Sequence, residues 1–407
     1  MNKIAIRLAT AASTAALVVS SFAAPLSATT VEISGNGSDS DNTVEVTQTN
    51  VTTVNQSNTA NISNNIDVDA DTGDNDAEDN TGGDVSINTG DASATVGVSN
   101  TANSNQASVS GCCPDDVTLK IKDNGTDYGN NDENKIKFNS TNVNTLTQTN
   151  SAYIDNDVDV DLDTGDNDAN DNTGGDVSVE TGDADATVTV DNQLNANWAA
   201  ITSSGNGGGV AVEISGNGSD SDNTVEVGLT SVNTINQSNN ANVSNDIDVD
   251  ADTGDNDAED NTGGSVSIDT GDANATVDVS NMANFNAAEL EGCGRVEDLD
   301  VLVKDNGDDS DNTATLNLVS VLAATQDNYF DNGKECDEIK VDLDTGGNDV
   351  KDNTHGDDPS ITTGNADADV EVENTANSNV LGDVDFNLPE LPGDSMSVLF
   401  LLLAFFS

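Results

Sequence analysis

The chain has 407 residues, of which 75 are acidic and 11 basic, for a formal net charge of -64. Such a surface repels nucleic acid and anionic membranes and draws cations or basic partners. Hydrophobic residues make up 34% and aromatics 3%, which excludes a conventional aromatic-rich core and matches the composition of disordered chains.

At the N-terminus, Lys3 and Arg7 precede an apolar run through Val18, Val19 and Phe22, followed by small residues from Ala23 to Ala28. A positive start, a short apolar stretch and a small-residue cleavage zone predict a secretory signal peptide over 1–28. The mature protein is therefore expected outside the cell or on its surface, and the leader is expected to stand apart from the fold.

Repeats dominate the remainder. The stretch Val31 to Val46 recurs letter for letter at Val212 to Val227, and Ile66 to Gly83 recurs at Ile247 to Gly264. The tripeptide DTG falls at Asp71, Asp163, Asp252 and Asp344, spacings of 92, 89 and 92 residues. Four units follow, at 31–111, 117–200, 210–292 and 299–382. Every Lys and Arg beyond the leader belongs to the second or fourth unit or its lead-in: Lys120, Lys122, Lys135, Lys137, Arg295, Lys304, Lys334, Lys340 and Lys351. The order is A-B-A-B.

Inside a unit the pattern has period two. Ile66, Val68 and Ala70 alternate with Asp67, Asp69 and Asp71, and Val85 with Ile87 and Ala94 with Val96 and Val98 repeat the rhythm. Such alternation predicts half-buried strands, and TGD, TGG and GNG supply turn chemistry between them. Strand onsets at Val44, Ile66 and Val85 are about 20 residues apart, a spacing that suits short solenoid coils. The predicted fold is an all-β solenoid of four units, with Asn and Thr stacked as ladders. The alternatives are tandem β-sandwich domains and a disordered chain; alternation retained in units that have diverged, as in "VDVDLDTGDND" and "IKVDLDTGGND", argues against disorder.

The segment Asp41 to Ser63, "DNTVEVTQTNVTTVNQSNTANIS", resembles the rhythm of curlin repeats, which form secreted amyloid-like β-solenoid fibres. With "NTGGDVSI" at Asn80 and "TGDASATVGVSN" at Thr89, the chain also resembles secreted Asn/Asp-rich repeat proteins of uncultivated small-genome bacteria. The curlin likeness covers some twenty residues of each A unit, and its glycine and glutamine spacing departs from that family. Fibre assembly is what the resemblance implies.

The acidic stretch "DVDADTGDNDAEDNTGG" invites a calcium reading. Asp67, Asp69, Asp71, Asp74, Asp76, Glu78 and Asp79, with Asp248, Asp250, Asp252, Asp255, Asp257, Glu259 and Asp260 in the third unit, are candidate Ca2+ ligands, because hard cations take oxygen donors. The glycine of an EF-hand loop is one place late, at Gly73, and "GGDVSINTG" lacks the third glycine of the RTX nonapeptide. The competing reading is a solvated acidic edge that deters sideways pairing. Unit four carries Lys340, Gly347 and Lys351 where unit one has Asp67, Asp74 and Glu78, so a metal site is expected to be lost there.

Cys112, Cys113, Cys293 and Cys336 allow three disulfide pairings in an exported chain. Cys293 with Cys336 suits a unit junction, and Cys112 with Cys113 suits a vicinal bridge or a link to another chain. A single histidine, His355, leaves no Ser-His-Asp or Cys-His set, so no enzyme is expected. The tail at 388–407 ends in "MSVLFLLLAFF", too short to span a bilayer alone. It resembles a cell-wall sorting signal but lacks the threonine and the terminal basic residues, and any membrane contact is expected through it. The expected role is structural: a stalk, adhesin shaft or fibre component, associating with itself or with cell-surface components. A calcium-dependent binding module and a passive acidic coat are the alternatives.

Overall fold

The computed structural model describes residues 4–11, 16–22, 29–37, 41–110, 116–125, 132–202, 209–290, 299–332, 338–354, 356 and 358–382. The four cysteines, His355 and the apolar tail lie outside them.

Two N-terminal strands, β1 (Ile4–Ala11) and β2 (Ala16–Phe22), come first, within the segment expected to be a leader. Unit one holds β3 (Thr29–Ser34), β4 (Asn42–Asp71), β5 (Val85–Asn88) and β6 (Ala92–Ser110). Unit two holds β7 (Val117–Lys122), β8 (Asp132–Asp163), β9 (Val177–Glu180) and β10 (Ala184–Thr202). Unit three holds β11 (Val210–Ser215), β12 (Ser221–Asp252), β13 (Val266–Asp269) and β14 (Ala273–Leu290). Unit four holds β15 (Leu299–Lys304), β16 (Asp311–Asp331), β17 (Glu338–Asp344), β18 (Ser360–Thr362) and β19 (Ala366–Leu381), with β16 and β17 together standing for one long strand.

Equivalent strands of successive units pair in parallel, giving four sheets that run through the whole protein. Leading into the DTG turn the register is the repeat spacing itself, with Val68 on Val160, Val160 on Val249 and Val249 on Val341. Elsewhere it shifts, with Thr29 on Val117, Val117 on Val210 and Ala273 on Ala366. Each unit is thus one rung of shared sheets, which rules out tandem sandwiches. The solenoid coil is the whole unit, not the twenty-residue interval that strand onsets suggest. A period-two pattern marks which residues face inward, but a strand of 30 residues shows the same local rhythm as three short ones. At about 3.3 Å per residue β4 is roughly 100 Å long, whereas four rungs about 4.8 Å apart rise only about 15 Å. The molecule is a wide, thin slab.

Its interior lies between the long sheet of β4, β8, β12 and β16 and the opposing sheet of β6, β10, β14 and β19. Ile66, Val68 and Ala70 meet Ala92, Ala94, Val96 and Val98 across it, and Val44 and Val46 meet Val31 and Ile33. Where aliphatics are scarce, amides fill the layer. Asn58, Asn150, Asn239 and Asn328 form one column, each Nδ2 donating to the Oδ1 of the next at 3.1–3.2 Å. They also donate across the layer to Asn105, Asn197, Asn286 and Asn379 at 2.8–3.0 Å. Gln56, Gln148, Gln237 and Gln326 make a third column. Every rung satisfies the amides of its neighbour, so burying them leaves few polar groups orphaned.

The leader departs from the sequence expectation. In the intact chain β1 pairs Ile4 to Ala11 with Ala92 to Ser99, and β2 pairs Ala16 to Phe22 with Ser104 to Ser110. Its β-branched residues Ile4, Ile6, Val18 and Val19 suit strand, and the outer edge of β6 supplies the backbone partners.

Candidate functional site

The acidic stretch is first of all a turn. Asp71 Oδ1 accepts the Gly73 N–H at 2.7 Å, Thr72 Oγ1 donates to Gly90 O at 2.9 Å, and Asn75 Nδ2 donates to the carbonyls of Thr72 and Gly73 at 2.9 Å. The same bonds recur at Asp163, Thr164 and Asn167. A Cβ on Gly73 would fall on the Gly165 carbonyl oxygen, and one on Gly165 on that of Gly254. The glycine that sits one place late for an EF-hand is therefore placed for the rung beneath it. Asp74 and Asp79 adopt φ of 53° and 58°, the left-handed region that Asp and Asn tolerate best after glycine.

The candidate carboxylates of one unit are strung along a strand and around this turn. Asp67, Asp69, Asp74, Asp76, Glu78 and Asp79 are exposed, as is Asp71, whose Oδ1 the turn already uses. In unit three, Asp250, Asp255 and Asp260 are exposed while Asp248, Asp252, Asp257 and Glu259 are half-buried. Further carboxylates stand in register one rung away. Asp69, Asp161, Asp250 and Asp342 form one column, and Asp76, Asp168, Asp257 and Asp349 another.

Burial first, and like charges second, raise several of these carboxylates. Burial pushes Asp163 up to about 7 and Asp252 up to about 6; the glycine N–H opposes it, and neighbouring carboxylates add to it, Asp252 foremost at Asp163 and Asp255 foremost at Asp252. Asp159, Asp161, Asp166 and Asp250 are also raised, first by burial and then by their column neighbours, and Asp257 first by burial and then by Glu259 of its own rung. Glu78 is raised chiefly by Asp76.

The lysines of the B units explain the A-B-A-B alternation. Lys122 and Lys137 pair upward with Glu32 and Glu45 of unit one at 3.1 and 3.0 Å, and Lys120 and Lys135 pair downward with Glu213 and Glu226 of unit three at 3.2 and 3.0 Å. In unit four, Lys340 meets Asp248 at 3.1 Å and Lys351 meets Glu259 at 3.3 Å.

Calcium asks for six to eight oxygens around one point. Among the described residues, one trio of carboxylates converges, Asp257, Glu259 and Asp349, with oxygens within 4.8 Å of one another. It spans units three and four, so the boundary keeps a cluster although unit four alone lost three acids. Asp349 escaped the sequence reading, although it stands in the column of Asp76. The Lys351 ammonium is paired with both Glu259 and Asp349, and a cation is already in place at this trio. The fit to calcium is thus partial: three carboxylates beside a lysine.

Among the described residues no helix is long and apolar enough to cross a membrane. No protein-family model, curated protein or solved structure matches the chain.

Proposed function

We propose that this is an exported structural protein of the cell surface or extracellular space, a building block that works through extent, rigidity and acidic surface and performs no catalysis. The observation that carries the reading is the continuity of interior columns: the Gln56 to Gln326 amides and the Val68 to Val341 aliphatics run in register through all four units. Such repetition gives each rung the same neighbour and distributes stability evenly along the array. The export leader expected over residues 1–28 supports work outside the cytoplasm. The test is protease treatment of intact cells followed by immunodetection. Loss of the chain from intact cells supports the reading, and full protection until lysis overturns it.

A second reading, cation-stabilised folding, is favoured by the in-register carboxylate columns of Asp69 to Asp342 and Asp76 to Asp349. Calcium outside the cell would neutralise columns that now repel one another. Its test is thermal unfolding with calcium, with magnesium and with EDTA; equal midpoints in all three would exclude it.

A further inference from the structure

We propose that copies of this chain stack head to tail, the free face of unit one seating on the free face of unit four of the next copy, and that leader strands β1 and β2 block this until they leave. The inference rests on the structural reading above and names its partner as a second copy of the chain.

Continuity is the first argument. Unit three already seats on unit two by parallel, in-register pairing of β11, β12, β13 and β14 with β7, β8, β9 and β10. Unit one carries the same surface, since Val31 to Val46 and Ile66 to Gly83 repeat the unit-three sequence without change. Among the described residues, β3, β4 and β5 have no strand on their outer edge, and neither do β15 to β19 on theirs. Open edges of this kind template further strands.

The amide columns give the joint a direction. Asn100 donates to Asn192, Asn192 to Asn281 and Asn281 to Asn374, at 2.7–2.8 Å. Asn103, Asn195, Asn284 and Asn377 repeat this at 3.0 Å. In both columns, as in that of Asn58, Nδ2 points toward unit four. In these three asparagine columns unit one ends in acceptors and unit four in donors, while the glutamine column runs the other way, from Gln326 through Gln237 and Gln148 to Gln56. Asn103 is fully buried and its Oδ1 has no partner; Asn377 of a stacked copy would bring an Nδ2 to it. Two like faces would set acceptor against acceptor.

Apolar surface and charge agree. Val301, Val303 and Leu318 of unit four are 42–47% exposed, although their unit-three equivalents Val212, Ile214 and Leu229 are buried. Two further columns end on this face in Lys340, in register with Asp248, and Lys351, in register with Glu259, beside the columns that end in Asp342 and Asp349. In a stacked copy these ammonium groups would lie between two acidic rungs, facing Asp67 and Glu78. Leu302 and Thr313 stand in register where Lys120 and Lys135 stand in unit two, so the ion pairs to Glu213 and Glu226 have no counterpart in the new joint.

The leader occupies the β6 edge that β19 of another copy would take. A joint between unlike faces does not close on itself and extends into a filament.

The experiment uses the full chain with a specific protease site placed between Ala23 and Ala28, so that the leader is released after purification. Sedimentation velocity and electron microscopy are expected to show monomer before release and filaments after it, with a strand repeat of about 4.8 Å along the axis. Val303→Glu on the unit-four face is expected to remain monomeric after release. Leu322→Glu on the same face replaces it if the first variant loses its β circular dichroism signal. Monomer after release, with the β-signal intact, overturns stacking while leaving the surface-structural reading to the intact-cell protease test. Dimers of Val303→Glu overturn the head-to-tail direction, and filaments of the uncleaved chain overturn the role of the leader.

Discussion

Lys122 Nζ lies 3.1 Å from Glu32 Oε1, one rung above it on the outer face. Two residues earlier, on the same face of the same strand, Lys120 turns the other way to Glu213 at 3.2 Å. A basic unit therefore binds the acidic units on both its sides, and the alternation of unit types is an electrostatic device. These pairs are partly exposed, and such pairs contribute modestly and are screened by salt. Lys135→Met is expected to lower the melting temperature slightly, and Lys135→Glu distinctly more, since it adds a carboxylate beside Glu226. Melts at low and high salt check this; the gap between the variants should narrow as salt rises.

Gly165 offers a sharper test of the stacking. Its missing Cβ leaves room for the Gly254 carbonyl, so Gly165→Ala is expected to cost roughly 3 kcal/mol or more, the range of severe backbone clashes. Gly37→Ala, with open space around it, is expected to change stability by less than about 0.5 kcal/mol. Urea unfolding of both variants decides it. Equal midpoints would mean the rungs are farther apart than described.

The amide columns predict opposite signs at neighbouring positions. Asn150→Ala would strip acceptors from the Nδ2 groups of Asn58 and Asn105, and is expected to destabilise by about 3 kcal/mol, as buried amides lose partners. Asn144 and Asn233 form a two-rung column between Thr52 and Leu322, and Asn144 Oδ1 and Asn233 Nδ2 have no partner. Replacing both by Leu is expected to be neutral or to stabilise by about 1 kcal/mol. A loss from the double variant would show that those amides are satisfied.

The pH profile follows from the half-buried carboxylates. Asp163 and Asp252, held near 7 and 6, prefer the protonated form when folded. Their contribution is fully present below the unfolded value near 4 and is lost as pH rises to about 7. Glu32, lowered by Ser34 and then Lys122, and Glu213, lowered by Lys120 and then Ser215, run the other way and lose their contribution in stronger acid. Stability is expected to peak near pH 4 to 5 and fall to pH 7. Asp163→Asn, which keeps an acceptor for the Gly165 N–H, is expected to flatten that fall in urea unfolding.

Lys351 tests the cation reading at its best-formed cluster. Lys351→Met removes the ammonium paired with Glu259 and Asp349, leaving the trio with Asp257 uncompensated. Calorimetry is expected to show one calcium site gained over the intact chain. No gain would mean that three half-buried carboxylates are too few ligands there.

The sequence by itself determined the all-β fold, the four units, and the faces: alternation at Ile66 to Asp71 says which side chains point inward, and repeat spacings of 92, 89 and 92 residues set the register between units leading into the DTG turn. It also pointed to stacked asparagines. Only the tertiary structure decided that the coil is the entire unit and that DTGDN is a self-bonded turn. It also paired Lys120 and Lys122 in opposite directions and gathered Asp257 and Glu259 with Asp349 from the next rung. Local periodicity is a property of neighbours along the chain, whereas these contacts join residues some 90 positions apart. Their chemistry depends on what lies about 4.8 Å above and below in the sheet.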